Sequence, residues 1–148
     1  IRNCTVMSSS LYRDIIMRYY RDKSRAAAPK EYTHREKGKN PLCGDDITLY
    51  VCLENGTVNR IGYEAKGCSI SLAAAAMLGE AVEGKSLEEA RQLTDTYLNM
   101  LQEGSGDISI PEYPYLEAMQ GIKQHPGRLQ CARLAWETFH EILGKADR

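Results

Sequence analysis

The chain has 148 residues, 43% of them hydrophobic and 26% charged, with a formal net charge of −1. That length fits one domain, 1–148, with a core that needs no disulfide staple. The near-neutral charge argues against a nucleic-acid partner, and the lack of an apolar run of about 18 residues argues against a membrane span. No signal-peptide pattern precedes the first element, which points to the cytoplasm. Met7 reads as a natural start, so residues 1–6 are read as a foreign or altered beginning, and Cys4 is set aside with them.

Ser8, Ser9 and Ser10 offer helix caps, and Leu11, Ile15, Ile16, Tyr19 and Tyr20 follow at helical spacing. A helix is expected over 9–25. Residues 26–39 lose this periodicity and contain Pro29 and Gly38, so they read as a mobile basic loop. From Ile47 the pattern alternates: Ile47, Leu49, Val51 and Leu53 share one face, while Tyr50 and Cys52 lie on the other. Asn55-Gly56 is a strong hairpin turn, and a return strand runs over 57–66. The apolar stretch after Gly67-Cys68, with Ala73 to Ala76, reads as a buried helix that neighbours can approach closely. Gly84 stops it. Ser86 and Glu89 form a capping box for a helix to about residue 103. Residues 104–112 read as a loop, 113–122 as a short helix, and Pro126-Gly127 as the opening of a last helix to about residue 143. The expected class is α+β: a small antiparallel sheet, the hairpin of residues 47–66 with or without a third strand, packed against several helices. Gly84-Lys85-Ser86 imitates the end of a phosphate loop, but helix stop and cap explain it.

Charge is unevenly spread. Residues 13–39 hold nine Lys and Arg against four acids, and residues 80–117 hold nine acids against two bases. Such blocks either steer a charged partner or simply solvate a surface.

The five cysteines are Cys4, Cys43, Cys52, Cys68 and Cys131. An odd count in a chain read as cytoplasmic favours metal binding or catalysis over a disulfide framework. Cys43 stands just before the first strand of the hairpin and Cys68 just after the second, so antiparallel pairing brings them together. Cys68 and Cys131 both fall at helix beginnings, where free N–H groups and the dipole favour thiolates. Asp45 adds an oxygen donor two residues from Cys43. Three thiolates and one carboxylate suit Zn²⁺. The spacing alone is also met by ordinary small buried residues, because no Cys-x-x-Cys pair is present. Cys52, in mid-strand and without polar helpers nearby, reads as structural. Among the histidines, only His125, six residues before Cys131, is kept as an outside ligand candidate; His34 falls in the basic loop and His140 late in the last helix. No local signature of Ser-His-Asp or Cys-His catalysis stands out.

Four segments carry a resemblance: Asn40–Asp45 (NPLCGD), Ala65–Ser71 (AKGCSIS), Gly84–Ser86 (GKS) and Arg128–Trp136 (RLQCARLAW). In order and spacing, from about Leu11 to Leu143, they resemble the U-type iron–sulfur assembly proteins, the IscU/NifU-like superfamily. Its IscU-like scaffolds carry a histidine directly before the third cysteine and a short link to it from GKS. This chain has Gln130 there, and Cys131 stands 47 positions after Gly84. Both features resemble the SufU branch. That resemblance implies Zn²⁺ held by Cys43, Asp45, Cys68 and Cys131, with Cys43 as sulfur acceptor and Arg128 in an auxiliary role. It implies a SufS-type cysteine desulfurase as partner, and downstream iron–sulfur scaffold proteins after it. The alternatives are a scaffold on which an Fe–S cluster is built, using the same ligands, and a zinc-stabilised binding module without sulfur chemistry.

Overall fold

The computed structural model describes residues 9–146, so Cys4 and the expectation about residues 1–6 lie outside it. The elements run α1 (Ser9–Arg21), β1 (His34–Asn40), β2 (Asp45–Glu54), β3 (Thr57–Lys66), α2 (Ser69–Val82), α3 (Leu87–Met100), 3-10 helices over Pro114–Gln124 and Pro126–Arg128, and α4 (Leu129–Ala146). The three strands form one antiparallel sheet in the order β1-β2-β3. The expected hairpin is there, with Ile47 paired to Ala65 and Asp46 to Lys66. Its Asn55-Gly56 turn has positive φ at both residues, as a two-residue turn matched to strand twist requires.

Residues 26–39 are not one mobile loop as their composition suggested; from residue 34, and on through Asn40, they make the third strand. Gly38 and Glu36 share the inner face of β1, and neither is apolar, so the usual alternation is invisible. Gly38 leaves no room for a side chain: a Cβ would run into the Thr138 hydroxyl of α4. Glu36 pairs with Lys145 of the same helix. The connection before β1 is also tied down. The Asp22 carboxylate accepts bonds from the Ser24 N–H at 2.9 Å and hydroxyl at 2.6 Å, which ends α1 at Arg21 rather than at residue 25. Arg25 then pairs with Glu83 at 2.9 Å, and its carbonyl accepts the Tyr63 N–H.

α2 is the central helix. Ala73, Ala74, Ala75 and Ala76 are each at most 2% exposed, and their small side chains let α1 and α4 lie close against them. Trp136 on α4 stacks on Tyr97 of α3 at a centroid distance of 4.0 Å. Its indole N–H donates to the Ala74 carbonyl of α2 at 3.2 Å, and the Tyr97 hydroxyl donates to the Ala132 carbonyl at 2.8 Å. Two aromatic side chains thus join three helices and fix the start of α4, where Cys131 lies.

The capping box at Ser86 and Glu89 is present; an N-cap of this kind contributes about 1 kcal/mol. The run Gly79 to Ser86 satisfies the whole phosphate-loop pattern, with Gly79 as its first glycine. The fold rejects that reading, because residues 79–82 are the last turn of α2 and so follow directly on helix, not on a strand; a phosphate loop joins a strand to a helix. The segment expected as a helix over 113–122 is a 3-10 helix. The Gln120 amide within it holds the loop before it: it donates to the Ile108 carbonyl at 2.9 Å and accepts the Ile108 N–H at 2.7 Å.

Candidate metal centre

The site forms where three chain segments meet: the β1–β2 turn, the start of α2 and the start of α4. Asn40 and Asp45 pair across the base of the turn, so Pro41, Leu42, Cys43 and Gly44 make the loop. The Asn40 carbonyl accepts the N–H groups of Cys43 at 3.2 Å and Gly44 at 2.9 Å. Gly44 has φ +74°, which a residue with a Cβ resists.

Cys43, Asp45 and Cys131 come together, with one donor atom of each within 4.8 Å of the others. The Cys131 and Cys43 sulfurs are 3.5 Å apart, beyond the roughly 2.05 Å of a disulfide. Cys43 is exposed, whereas Asp45 and Cys131 are buried. Cys68 stands at the rim as the N-cap of α2. Its N–H donates to Asp45 Oδ1 at 3.1 Å, and its Sγ lies 3.6 Å from the Ser71 hydroxyl. Gly67 makes this approach possible: its φ is +154°, and a Cβ there would strike Asp45 Oδ1.

Burial alone would push the Asp45 carboxyl up. The Ser71 hydroxyl, the Cys131 thiol, the Cys68 N–H and the Asn40 amide outweigh it and hold the group below the usual carboxylate range. Burial likewise opposes ionisation of Cys68, but the N–H and hydroxyl of Ser71 prevail and lower its pKa. Cys131 is driven upward, first by burial and then by Asp45 and the neighbouring thiols. The same pocket thus pushes the two thiols apart, Cys68 toward the thiolate and Cys131 toward the thiol. Soft sulfur donors beside a buried, ionised carboxylate are a donor set that a divalent cation fits, and a cation would favour the thiolate at every position. Cys43, Asp45 and Cys131 could hold a metal ion, with Cys68 beside them.

Other sequence candidates fall elsewhere. Arg128 is exposed in the short 3-10 turn, and its guanidinium makes no hydrogen bond or ion pair among the described residues. His125 is exposed and does not join the donor group. Cys52 is 8% exposed at the far end of the hairpin. It does have a polar neighbour, contrary to expectation: its thiol donates to Glu54 Oε1 at 3.6 Å. Gln130, directly before Cys131, donates to Glu137 at 2.5 Å along α4. Two supporting residues were missed. Asn40 is 3% exposed, and its amide reaches Asp45 at 3.4 Å and Cys131 Sγ at 3.7 Å. Ser71 serves both Cys68 and Asp45. Its signal was its place three residues into the helix that Cys68 caps.

A family model described as the NifU-like N terminal domain matches residues 11–141. The zinc-dependent sulfurtransferase SufU of Bacillus subtilis (strain 168) is 33% identical over 138 residues, covering 93% of this chain and 92% of that protein. The iron-sulfur cluster assembly scaffold protein IscU of Thermotoga maritima is 34% identical over 138 residues, covering 93% and 96%. A crystal structure from Fervidobacterium islandicum AW-1, described as an iron–sulfur cluster assembly scaffold protein for the SUF system, aligns with a TM-score of 0.81 at 28% identity, over 93% of this chain and 99% of that one. With its α+β fold, its site of thiols around Asp45 and these matches along nearly the whole length, the chain belongs to the NifU-like N-terminal domain family, the family of the SufU and IscU proteins.

Proposed function

We propose that the protein takes sulfur from the persulfide of a SufS-type cysteine desulfurase and passes it on to iron–sulfur cluster assembly, with Cys43 as the acceptor thiol. Zn²⁺ is the resident ion in this reading, held by Cys43, Asp45, Cys68 and Cys131, and it would supply thiolates at neutral pH. The observation that carries the reading is the contrast within the donor group: Cys43 is exposed while Asp45 and Cys131 are buried. A thiol at the surface can meet a sulfur donor on another protein; its two partners cannot.

In the transfer step the Cys43 thiolate attacks the outer sulfur of the donor persulfide. A new S–S bond forms on Cys43, the donor's S–S bond breaks, and the donor cysteine departs as a thiolate. Asn40 and Ser71 hold Asp45 in place while Cys43 moves. Arg128, exposed three residues before Cys131, is assigned an auxiliary role toward the incoming donor. Among the described residues Cys43, Cys52, Cys68 and Cys131 are free thiols, in accord with a reducing cytoplasm.

The second reading is a cluster scaffold. It is favoured by the equal likeness to the Thermotoga IscU and would use the same donors. Gln130 is turned toward Glu137 and not the donor group, which favours sulfur transfer. A purely structural zinc module is disfavoured by the exposure of Cys43. Elemental analysis of protein purified without oxygen tests the proposal. One zinc per chain without iron or sulfide is expected; iron and acid-labile sulfide in equal amounts, with little zinc, would overturn it in favour of the scaffold.

A further inference from the structure

Leu42 is 93% exposed, far more than the other exposed large hydrophobics, Leu11 at 44% and Tyr32 at 46%. A single exposed leucine is ordinary on a protein surface. This one directly precedes the exposed Cys43, and its loop is pinned at the base by the Asn40–Asp45 pair and by two N–H bonds to the Asn40 carbonyl. The side chain is therefore presented on a braced turn.

The surroundings are basic. The register sets Lys39, Asp46 and Lys66 side by side on the outer face of the sheet, at the end that carries the turn. Lys37 continues that face two residues along β1, and Lys37, Lys39 and Lys66 are all exposed. An apolar tip beside the reacting thiol, with cations behind it, has the form of an anchor residue and a charged rim.

We infer that Leu42 anchors the sulfur donor during transfer, and that Lys37, Lys39 and Lys66 guide its approach. The partner is a persulfide-bearing protein with an apolar pocket next to its reactive cysteine and an acidic rim around it. The inference rests on the sulfur-acceptor reading of Cys43. Anchoring by Leu42 would place the sulfane sulfur over the neighbouring residue and leave the chemistry to Cys43.

The test measures sulfur transfer from the SufS-type cysteine desulfurase of the source organism, with L-cysteine, as the concentration of this protein is varied. Leu42→Ala is expected to raise the half-saturating concentration about tenfold while leaving the plateau rate and the metal content unchanged. The double variant Lys37→Glu/Lys39→Glu is expected to raise it as well and to lose the salt dependence of the wild type, because rim charges act on the association rate. A Leu42→Ala curve that overlies the wild type, or one with a lowered plateau at unchanged half-saturation, overturns the anchor. A double variant with wild-type salt dependence overturns the guidance and leaves those lysines as guards of an exposed edge strand. If the wild-type protein accepts no sulfur at all, the acceptor reading itself falls, and the docking surface falls with it.

Discussion

The β1–β2 turn and the first turn of α4 each bring one thiol to the same place, and they are built in opposite ways. The turn is exposed from Pro41 to Gly44 and holds Cys43 by two backbone bonds to one carbonyl. The start of α4 is buried, and it is fixed through Ala132 by Tyr97 and through Trp136 by the Ala74 carbonyl. Two thiols 3.5 Å apart therefore differ greatly in what it costs to move them. Displacing Cys131 would disturb the packing of three helices, whereas displacing Cys43 requires only a four-residue loop to shift. A site in which one donor leaves and the others stay needs this asymmetry.

The largest effect is expected from removing the exposed thiol. Cys43→Ala is expected to abolish sulfur acceptance and any stimulation of the desulfurase, while thermal unfolding of the metal-free variant stays near that of the metal-free wild type, since an exposed thiol contributes little packing. Loss of the fold in this variant would mean that the turn is structural after all. A smaller effect is expected on the fixed side. Asn40→Ala removes the amide that reaches both Asp45 and Cys131, and a supporting partner of this kind is worth about 10–100-fold in metal affinity. Competition with a chelator measures it, and unchanged affinity would show that Asn40 serves only the turn. The smallest effect tests the brace. Tyr97→Phe keeps the stack on Trp136 but removes the hydroxyl bond to Ala132, and it should lower stability by about 1 kcal/mol in denaturant unfolding, with metal content unchanged. Loss of metal in this variant would place the control of the site in α3.

The parts of the fold written in local pattern were legible. The alternation from Ile47, the Asn55-Gly56 turn and the Ser86–Glu89 box each state a local geometry, and each is found. β1 was hidden because its inner face is made of Glu36, Gly38 and Asn40, whose burial depends on α4, a partner nearly a hundred residues away. The end of α1 was missed because a side-chain turn at Asp22 competes with the helix, which no periodicity reveals. At the site, Cys43, Asp45 and Cys131 could be picked out by residue type and by position at element ends. Asn40 could not, since an amide gains such a role only once strand register places it beside a carboxylate, and Ser71 had only its position three residues after Cys68 to mark it. The same holds for Gly67, whose missing side chain leaves Asp45 room to reach the Cys68 N–H.

The most direct measurement is to locate the transferred sulfur. The protein is incubated with the desulfurase and L-cysteine, its thiols are trapped, and peptides containing Cys43, Cys68 and Cys131 are weighed separately. One extra sulfur atom is expected on the Cys43 peptide and none on the other two. Extra sulfur on Cys68 or Cys131 with Cys43 unmodified would overturn Cys43 as the acceptor.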